Sequence, residues 1–304
     1  MKISILIPTY NGEETLRELF AVLHYQTVQP DEILVVDSSS TDNSVEICKK
    51  HGAEVMIIPQ DDFDHGGTRT QLCQKAKGEV VLFLTQDAIP TSRDAIEKLI
   101  QPLINDSTIA TSYGRQLPDK HAGFPAAHLR GFNYPSKSII RRYQDREQLG
   151  IKTIFTSNSF AAYRKTALAE VDYFKNGLIF GEDTCTVGRL LQRDYGIAYV
   201  AEAMVYHSHN YDMGQEFKRS FDIGVLHSLE ADLFDDFGKA EKRGIDYVSS
   251  GLGMLRKKRQ YGEMFDFMSR VVMKYLGYKI GRKHKVLPKS LVMQLSMHRN
   301  WWKS

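Results

Sequence analysis

Glu79-Val80-Val81-Leu82-Phe83-Leu84-Thr85-Gln86-Asp87 is an apolar run that ends on a carboxylate, with Ala88-Ile89-Pro90 behind it. An uninterrupted apolar run of this length, stopped by polar residues, reads as a strand buried on both faces. A strand of that kind belongs to a sheet covered by helices, and in such open sheets ligands collect outside the carboxyl ends of the strands. Asp87 therefore stands where a lone carboxylate holds a divalent cation against a phosphate. The plainer alternative is a loop aspartate that caps the next helix.

Outward from this strand, short apolar runs alternate with helical patterns. Ile3 to Ile7 reads as a strand. Asn11 followed by Glu14 resembles a capping box, opening a helix with Leu16, Leu19, Phe20 and Leu23 on one face. Ile33 to Val36 is the next strand and ends at Asp37; Ser40 or Thr41 then caps a helix carrying Val45 and Ile47. Glu54 to Ile58 is a third strand, and Thr68 to Lys77 a helix leading back to the run at Val80. Such alternation predicts a parallel sheet with helices on both faces. Residues 114–150 break the rhythm, with Pro118, Pro125 and Pro135 among aromatic and basic residues, and read as a substrate loop. Beyond them come Thr153 to Phe155, the small-residue stretch Ser157-Asn158-Ser159-Phe160-Ala161-Ala162, and a helix from about Glu182 to Arg193. After Gly214 the pattern is mainly helical.

The chain has 304 residues, enough for one large domain with an appendage. Cys48, Cys73 and Cys185 are widely spaced and suggest neither a disulfide framework nor a zinc site, which fits a reducing cytosol. No window approaches 18 apolar residues, and the amino terminus runs straight into a strand pattern, so neither a membrane span nor a signal peptide is expected. The net charge of +3 is unevenly spread: residues 251–304 hold 13 Lys or Arg against 2 Asp or Glu. That excess points to an anionic partner or surface, or else to a solvated helical face.

Pro8-Thr9-Tyr10-Asn11 follows the first strand and Asp37-Ser38-Ser39-Ser40-Thr41-Asp42 the second, on the same edge as Asp87. A carboxylate such as Asp37 can accept the imide N–H of uracil or thymine, while the backbone and ring near Tyr10 can bracket a planar base. In order with the Asp87 loop and Gly181-Glu182-Asp183, these motifs resemble the inverting family 2 glycosyltransferases of the GT-A fold, over roughly residues 1–210. The resemblance implies an α/β GT-A domain over residues 1–212, a mixed sheet with flanking helices, its donor half about 1–113 and its acceptor half about 114–212. A helical, basic extension over residues 213–304 follows. It further implies donor contacts from Pro8, Thr9, Tyr10, Asp37 and Gln86. The family's loop usually reads Asp-any-Asp; here only the final carboxylate is kept, and Asp87 is implied to hold Mg2+ or Mn2+ on the donor diphosphate. Asp183 is implied to be the general base, with Glu182 and Asn158 at the acceptor. The family also supplies a histidine that completes the metal site. His207, 24 residues beyond Asp183, is the expected one, and His209, on the same side of an extended strand, remains the alternative.

Asp64-His65-Gly66-Gly67-Thr68-Arg69 resembles the His-Gly-Gly-Thr-Arg signature of bacterial rhamnosyltransferases that use dTDP-L-rhamnose. Two glycines let the backbone approach a ligand closely, and Thr68 can cap the following helix. Arg69 in its first turn puts a cation near the helix's positive end, which suits a pyrophosphate. His65, Gly67 and Arg69 are accordingly expected on the donor.

The implied reaction moves L-rhamnose from dTDP-β-L-rhamnose to a hydroxyl of a lipid-linked saccharide, with inversion, in surface polysaccharide assembly at the cytoplasmic face of a bacterial membrane. One rival uses another nucleotide sugar, such as a UDP-hexose. A second binds nucleic acid through the basic tail; against it stand the absence of a nucleic-acid module and the repulsion between phosphates and Asp37, Asp87 and Asp183. A third, a non-catalytic nucleotide-sugar binder, leaves the base and the metal residues without a task. In the tail, Met264, Phe265, Met268, Val271, Val272, Tyr275 and Leu276 form an apolar helical stripe among basic residues, and Trp301-Trp302 lie near the end. A basic, aromatic, amphipathic region of this kind suits an anionic membrane surface; the alternative is ordinary packing on the catalytic domain.

Overall fold

Alternation of side chains along the strands divides the core in two. In the computed structural model, which describes residues 1–238 and 241–303, β1 (Ile3–Thr9), β2 (Glu32–Asp37), β3 (Glu54–Ile57) and β4 (Val80–Leu84) pair in parallel in the order β3-β2-β1-β4. Ile3, Ile5 and Ile7 of β1, with Val80, Leu82 and Leu84 of β4, pack on one face against α1 (Glu13–Leu23) and α2 (Ser44–Lys50). Leu6, Val81 and Phe83 take the other face, against Leu72 and Cys73 of α3 (His65–Lys75). Each leucine sealed in this way contributes roughly 1.5–3 kcal/mol relative to exposure.

The strands lie within a residue or two of the sequence pattern, but three helix starts do not. Asn11 is not a cap. Its backbone is left-handed (φ 44°), its amide oxygen accepts from Thr41 N at 2.8 Å, and Gly12 precedes the first helical turn. The second helix starts at Ser44, past Ser40 and Thr41, because Ser40 Oγ is committed to Asp37 at 2.5 Å and Asp42 Oδ1 accepts from Ser44 N at 3.0 Å. The third starts at His65, with Asp64 rather than Thr68 as its cap, Oδ1 accepting from Gly67 N at 2.6 Å.

Past β4 the topology changes. The chain continues through β5 (Ile89–Pro90), α4 (Ala95–Asn105) and β6 (Ile109–Leu117). The stretch 114–150, expected as an irregular loop, contains the end of β6, α5 (Phe124–Asn133), β7 (Ile139–Arg141) and α6 (Arg146–Leu149). Then come β8 (Phe160–Arg164), α7 (Lys165–Glu170), α8 (Glu182–Gln192) and β9 (Gly196–Tyr206). The sheet extends as β4-β8-β6-β9-β5, with β7 also on β9, so it is mixed rather than parallel. β8 is antiparallel to β4 and β6, while β6 and β9 are parallel. The start of β8 therefore meets the ends of β1, β2, β4, β6 and β9 on one edge.

The carboxyl-terminal helices are α9 (Met213–Leu229), α10 (Ala231–Asp236), α11 (Glu241–Lys257), α12 (Tyr261–Gly281) and α13 (Lys289–Leu295). Phe221, Val225 and Leu226 of α9 join the cluster that holds Leu6 and Phe83. α9 and α12 run side by side in the same direction: a Cβ on Gly277 would strike the Phe217 carbonyl, and one on Gly281 the Phe221 carbonyl. The chain then folds back. The Asp222 carboxylate accepts from Met297 N at 2.9 Å and His298 N at 3.3 Å, and Trp301 Nε1 donates to Gly177 O at 3.1 Å. Trp301 and Trp302 thus lie half-buried against the cluster that holds Leu6 and Phe83 and not on a free surface. No helix among the described residues is long and apolar enough to cross a membrane.

Replacing Gly281 with valine should cost about 1–3 kcal/mol, because the added carbons meet backbone that cannot yield. Gly262, on the same helix with open space at its Cβ position, should accept valine at near-zero cost. Urea unfolding of both variants checks the contrast, and equal midpoints would show that the close approach is not what holds α9 to α12.

Candidate active site

Gln86 fastens the first two loops of the edge. Its Oε1 accepts from Thr9 Oγ1 at 2.6 Å and from Tyr10 N at 3.0 Å, and its Nε2 donates to Tyr10 O at 3.2 Å. Expected on the donor, it holds the end of β1 beside the end of β4. Asp37 has no exposed surface; Oδ1 accepts from Ser40 N at 2.8 Å and Oδ2 from Ser40 Oγ. A base could reach that carboxylate only by displacing Ser40. Thr9 is also buried, whereas Tyr10 is exposed at the mouth of the edge.

At the far end of the edge Asp87 meets two histidines. His207 Nε2 lies 3.5 Å from Asp87 Oδ1, and His209 Nε2 lies 3.8 Å from Asp87 Oδ2. Their ligand atoms all fall within 4.8 Å of one another. The sequence offered His207 with His209 as its alternative; the structure brings both to Asp87. Gln116, at the end of β6, was not foreseen. Its Oε1 lies 3.0 Å from His207 Nδ1 and its Nε2 donates to Ser157 Oγ at 2.9 Å. Because Nε2 of the glutamine is spent on Ser157, its oxygen accepts from Nδ1–H and leaves His207 Nε2 as a lone-pair donor aimed at Asp87, the arrangement that orients a metal-bound imidazole. Burial, against the pull of Asp87, pushes His207 down to about 3, so the ring is neutral. One carboxylate and two neutral imidazoles fit a divalent cation with positions left open.

Asp183 stands in the first turn of α8, preceded by Gly181 with φ 78°. Its Oδ2 accepts from Asn158 N at 3.1 Å and its Oδ1 from Thr184 N at 2.6 Å. Burial first, and the neighbouring Glu182 carboxylate second, push Asp183 up to about 6 despite those two donors. Behind it lies a buried network. Arg69 Nη1 is 3.2 Å from Glu182 Oε1, with side chains 7% and 5% exposed, and it also donates to His65 O at 3.0 Å. Asn158 Nδ2 donates to Glu182 Oε1 at 3.1 Å, and Tyr163 OH donates to Asn158 Oδ1 at 2.7 Å. Burial pushes Glu182 up, but Arg69, His65 and Asn158 outweigh it and hold its carboxyl below the usual range.

Five of the residues expected at the site lie in or beside this network. Glu182 and Asn158, expected at the acceptor, are buried and committed to Arg69 and Tyr163, so they support Asp183 from behind. Arg69, expected on a pyrophosphate, faces Glu182, since α3 starts at His65 and its second turn points at α8. His65 packs half-buried, its ring 5.1 Å from that of Phe63 and 5.3 Å from that of His298. The glycines serve protein packing: a Cβ on Gly66 would strike the Lys175 carbonyl, and one on Gly67 would crowd Asp64 and Asn176. Asp64 Oδ2, accepting from Gly177 N at 3.1 Å, closes that seam.

The profile of glycosyl transferase family 2 matches residues 4–172. The chain is 40% identical over 304 residues to the O-antigen chain rhamnosyltransferase RfbN of Salmonella typhimurium, covering 99% of this chain and 96% of that protein. It is 39% identical over 301 residues to the O-antigen chain rhamnosyltransferase WbaN of Salmonella anatum, covering 98% and 95%. Among solved structures, the mannosyltransferase PcManGT from Pyrobaculum calidifontis in complex with GDP-Man and Mn2+ superposes with a TM-score of 0.62 at 12% identity, over 93% of this chain and 86% of that one. At that identity the likeness is one of fold.

Titration of the protein with Mn2+ should give one site that Asp87→Ala abolishes. Gln116→Leu, which frees the His207 ring without removing a ligand, should weaken it roughly 10–100-fold. Calorimetry reads both, and an unchanged affinity in either variant would remove that residue from the site.

Proposed function

The chain belongs to glycosyl transferase family 2, and from that premise we propose that it is an inverting rhamnosyltransferase acting on a lipid-linked saccharide in surface polysaccharide assembly, with dTDP-β-L-rhamnose as donor. The observation that carries the mechanism is the convergence, on one sheet edge, of the Asp87, His207 and His209 cluster with a carboxylate raised to about 6. The sugar rests on similarity along nearly the whole chain to two O-antigen chain rhamnosyltransferases. The nucleoside lies against Pro8, Thr9 and Tyr10, and Asp37 acts through the Ser40 turn that it shapes. When bound, Mg2+ or Mn2+ neutralises the departing diphosphate, two imidazoles favouring Mn2+.

Asp183 is the general base. Its pKa leaves it ionised at neutral pH yet basic enough to take a hydroxyl proton. As the acceptor oxygen bonds to the anomeric carbon, that proton passes to Asp183, the bond from this carbon to the diphosphate breaks, and the electron pair leaves with the nucleotide. The Arg69–Glu182–Asn158 network keeps the carboxylate aimed.

The acceptor's lipid gives a task to α12. Tyr261, Phe265, Met268, Val272 and Tyr275 recur at helical spacing and are exposed, Phe265 to 79%. With the basic residues around them they form a face suited to the headgroup region of an anionic leaflet. The protein accordingly works as a peripheral protein on the cytoplasmic side of the membrane.

Two measurements test this reading. In a panel of nucleotide sugars with lipid-linked acceptors, dTDP-rhamnose should be used fastest, and Asp183→Asn should lose about 10²–10⁴ in rate while still binding dTDP. Because the base must be ionised, wild-type turnover should fall tenfold per unit below about pH 6 and level off above it. Faster use of a UDP-hexose overturns the donor, and an Asp183→Asn rate within threefold of wild type overturns the base. In the second measurement, the protein should sediment with phosphatidylglycerol vesicles and be partly released by 1 M salt, where the screening length falls to about 3 Å. Phe265→Asp with Val272→Asp should abolish that binding with no loss of fold, and retained binding would clear α12 of the role.

A further inference from the structure

Arg219 projects from α9 as an exposed side chain, its Cζ 5.6 Å from the Phe180 ring centroid and 5.8 Å from that of Tyr211. The two rings belong to different halves of the site. Tyr211 lies 5.6 Å, ring to ring, from His209, whose Nε2 is 3.8 Å from Asp87. Phe180 directly precedes Gly181-Glu182-Asp183. The guanidinium therefore lies beside two rings, one next to a histidine of the cation cluster and one next in sequence to the segment that carries the base.

The carboxylate of Asp222, one turn along α9, feels the charge of Arg219 but is taken up by the Met297 and His298 N–H groups. Among the described residues no carboxylate lies within ion-pair distance of Arg219. Neighbouring cations are committed: Arg270 and Lys274 lie 3.6 and 3.5 Å from Glu216, and Arg130, the other arginine near the cluster, donates to His207 O at 2.7 Å. Two rings flank the guanidinium, and its fork of N–H groups suits a bidentate bond to phosphate oxygens.

Resting on the reading of the chain as a transferase of a nucleotide-diphosphate sugar, we propose that Arg219 grips the donor diphosphate. It donates two N–H bonds to the phosphate that carries the sugar and stays with that phosphate as the bond to the anomeric carbon breaks. A side chain that only spaces Phe180 from Tyr211 would have no preference for a second phosphate.

Calorimetry with dTDP and dTMP, each in EDTA and in Mn2+, separates the two roles. Arg219→Gln keeps a planar group between the rings and removes the charge; Arg219→Lys keeps the charge and removes the fork. The glutamine variant should lose about 10–100-fold in dTDP affinity in both media. Its dTMP affinity should stay within twofold of wild type, and the lysine variant should fall between. Thermal unfolding of each variant within 2 °C of wild type certifies the fold. Unchanged dTDP affinity, or equal losses for dTDP and dTMP, overturns the assignment. If wild type prefers UDP, the donor reading falls and the same comparison is decisive with UDP and UMP. If it binds no nucleoside diphosphate, the transferase reading falls and this inference with it.

Discussion

β8 runs against the strands on either side of it, and the site depends on that reversal. Had β8 run parallel to its neighbours, its first residues would lie on the far edge of the sheet. Instead Ser157, Asn158 and Ser159, just before it, arrive among the ends of β4, β6 and β9. Ser157 receives Gln116, which orients His207; Asn158 gives its N–H to Asp183 and its amide to Glu182. One short segment thus sets both the histidine that faces Asp87 and the carboxylate of Asp183. A displacement of about 1 Å there disturbs both, and misplacement on that scale can cost about a hundredfold in rate.

The strands were legible because their signal is local: period-two burial is written in successive residues, and Val80 to Leu84 declares itself without help from the rest of the chain. Caps were less so. Asn11, Ser40 and Thr68 all have capping chemistry, but another partner takes each of them, and for Asn11 that partner, Thr41, lies 30 residues away. The same limit governs the site. Arg69 and Glu182 each read as substrate contacts when taken alone; that they satisfy one another across 113 residues is a property of the fold. Gln116 has no motif around it, and only the meeting of β6 with β9 gives it a histidine to orient. The order of the motifs was enough to pair Asp87 with His207.

The terminal tryptophans teach the reverse lesson. Basic and aromatic composition suggested an exposed surface for the whole tail, yet it splits into two. α12 keeps an open apolar face, whereas Trp301 and Trp302 close over the 175–177 loop and α9, anchored by Asp222. Composition reports how much apolar surface a segment carries, not which of it finds a partner.

That anchoring has a consequence for how the molecule assembles. The tail reaches α3 and the loop before it from the opposite end of the chain, and Asn300 comes to 3.4 Å from Asp61 across 239 residues. Closing a loop of that length carries a larger entropic penalty than any strand pairing in the sheet, and it has no local structure to nucleate it. Docking of the tail is therefore a late step in folding, taken onto a sheet already built. Until it occurs, α3 lacks its outer cover, and the pair between Arg69 and Glu182 lies nearer to water than in the finished protein. The strength of that pair, and with it the setting of Asp183, matures only when the final residues come home.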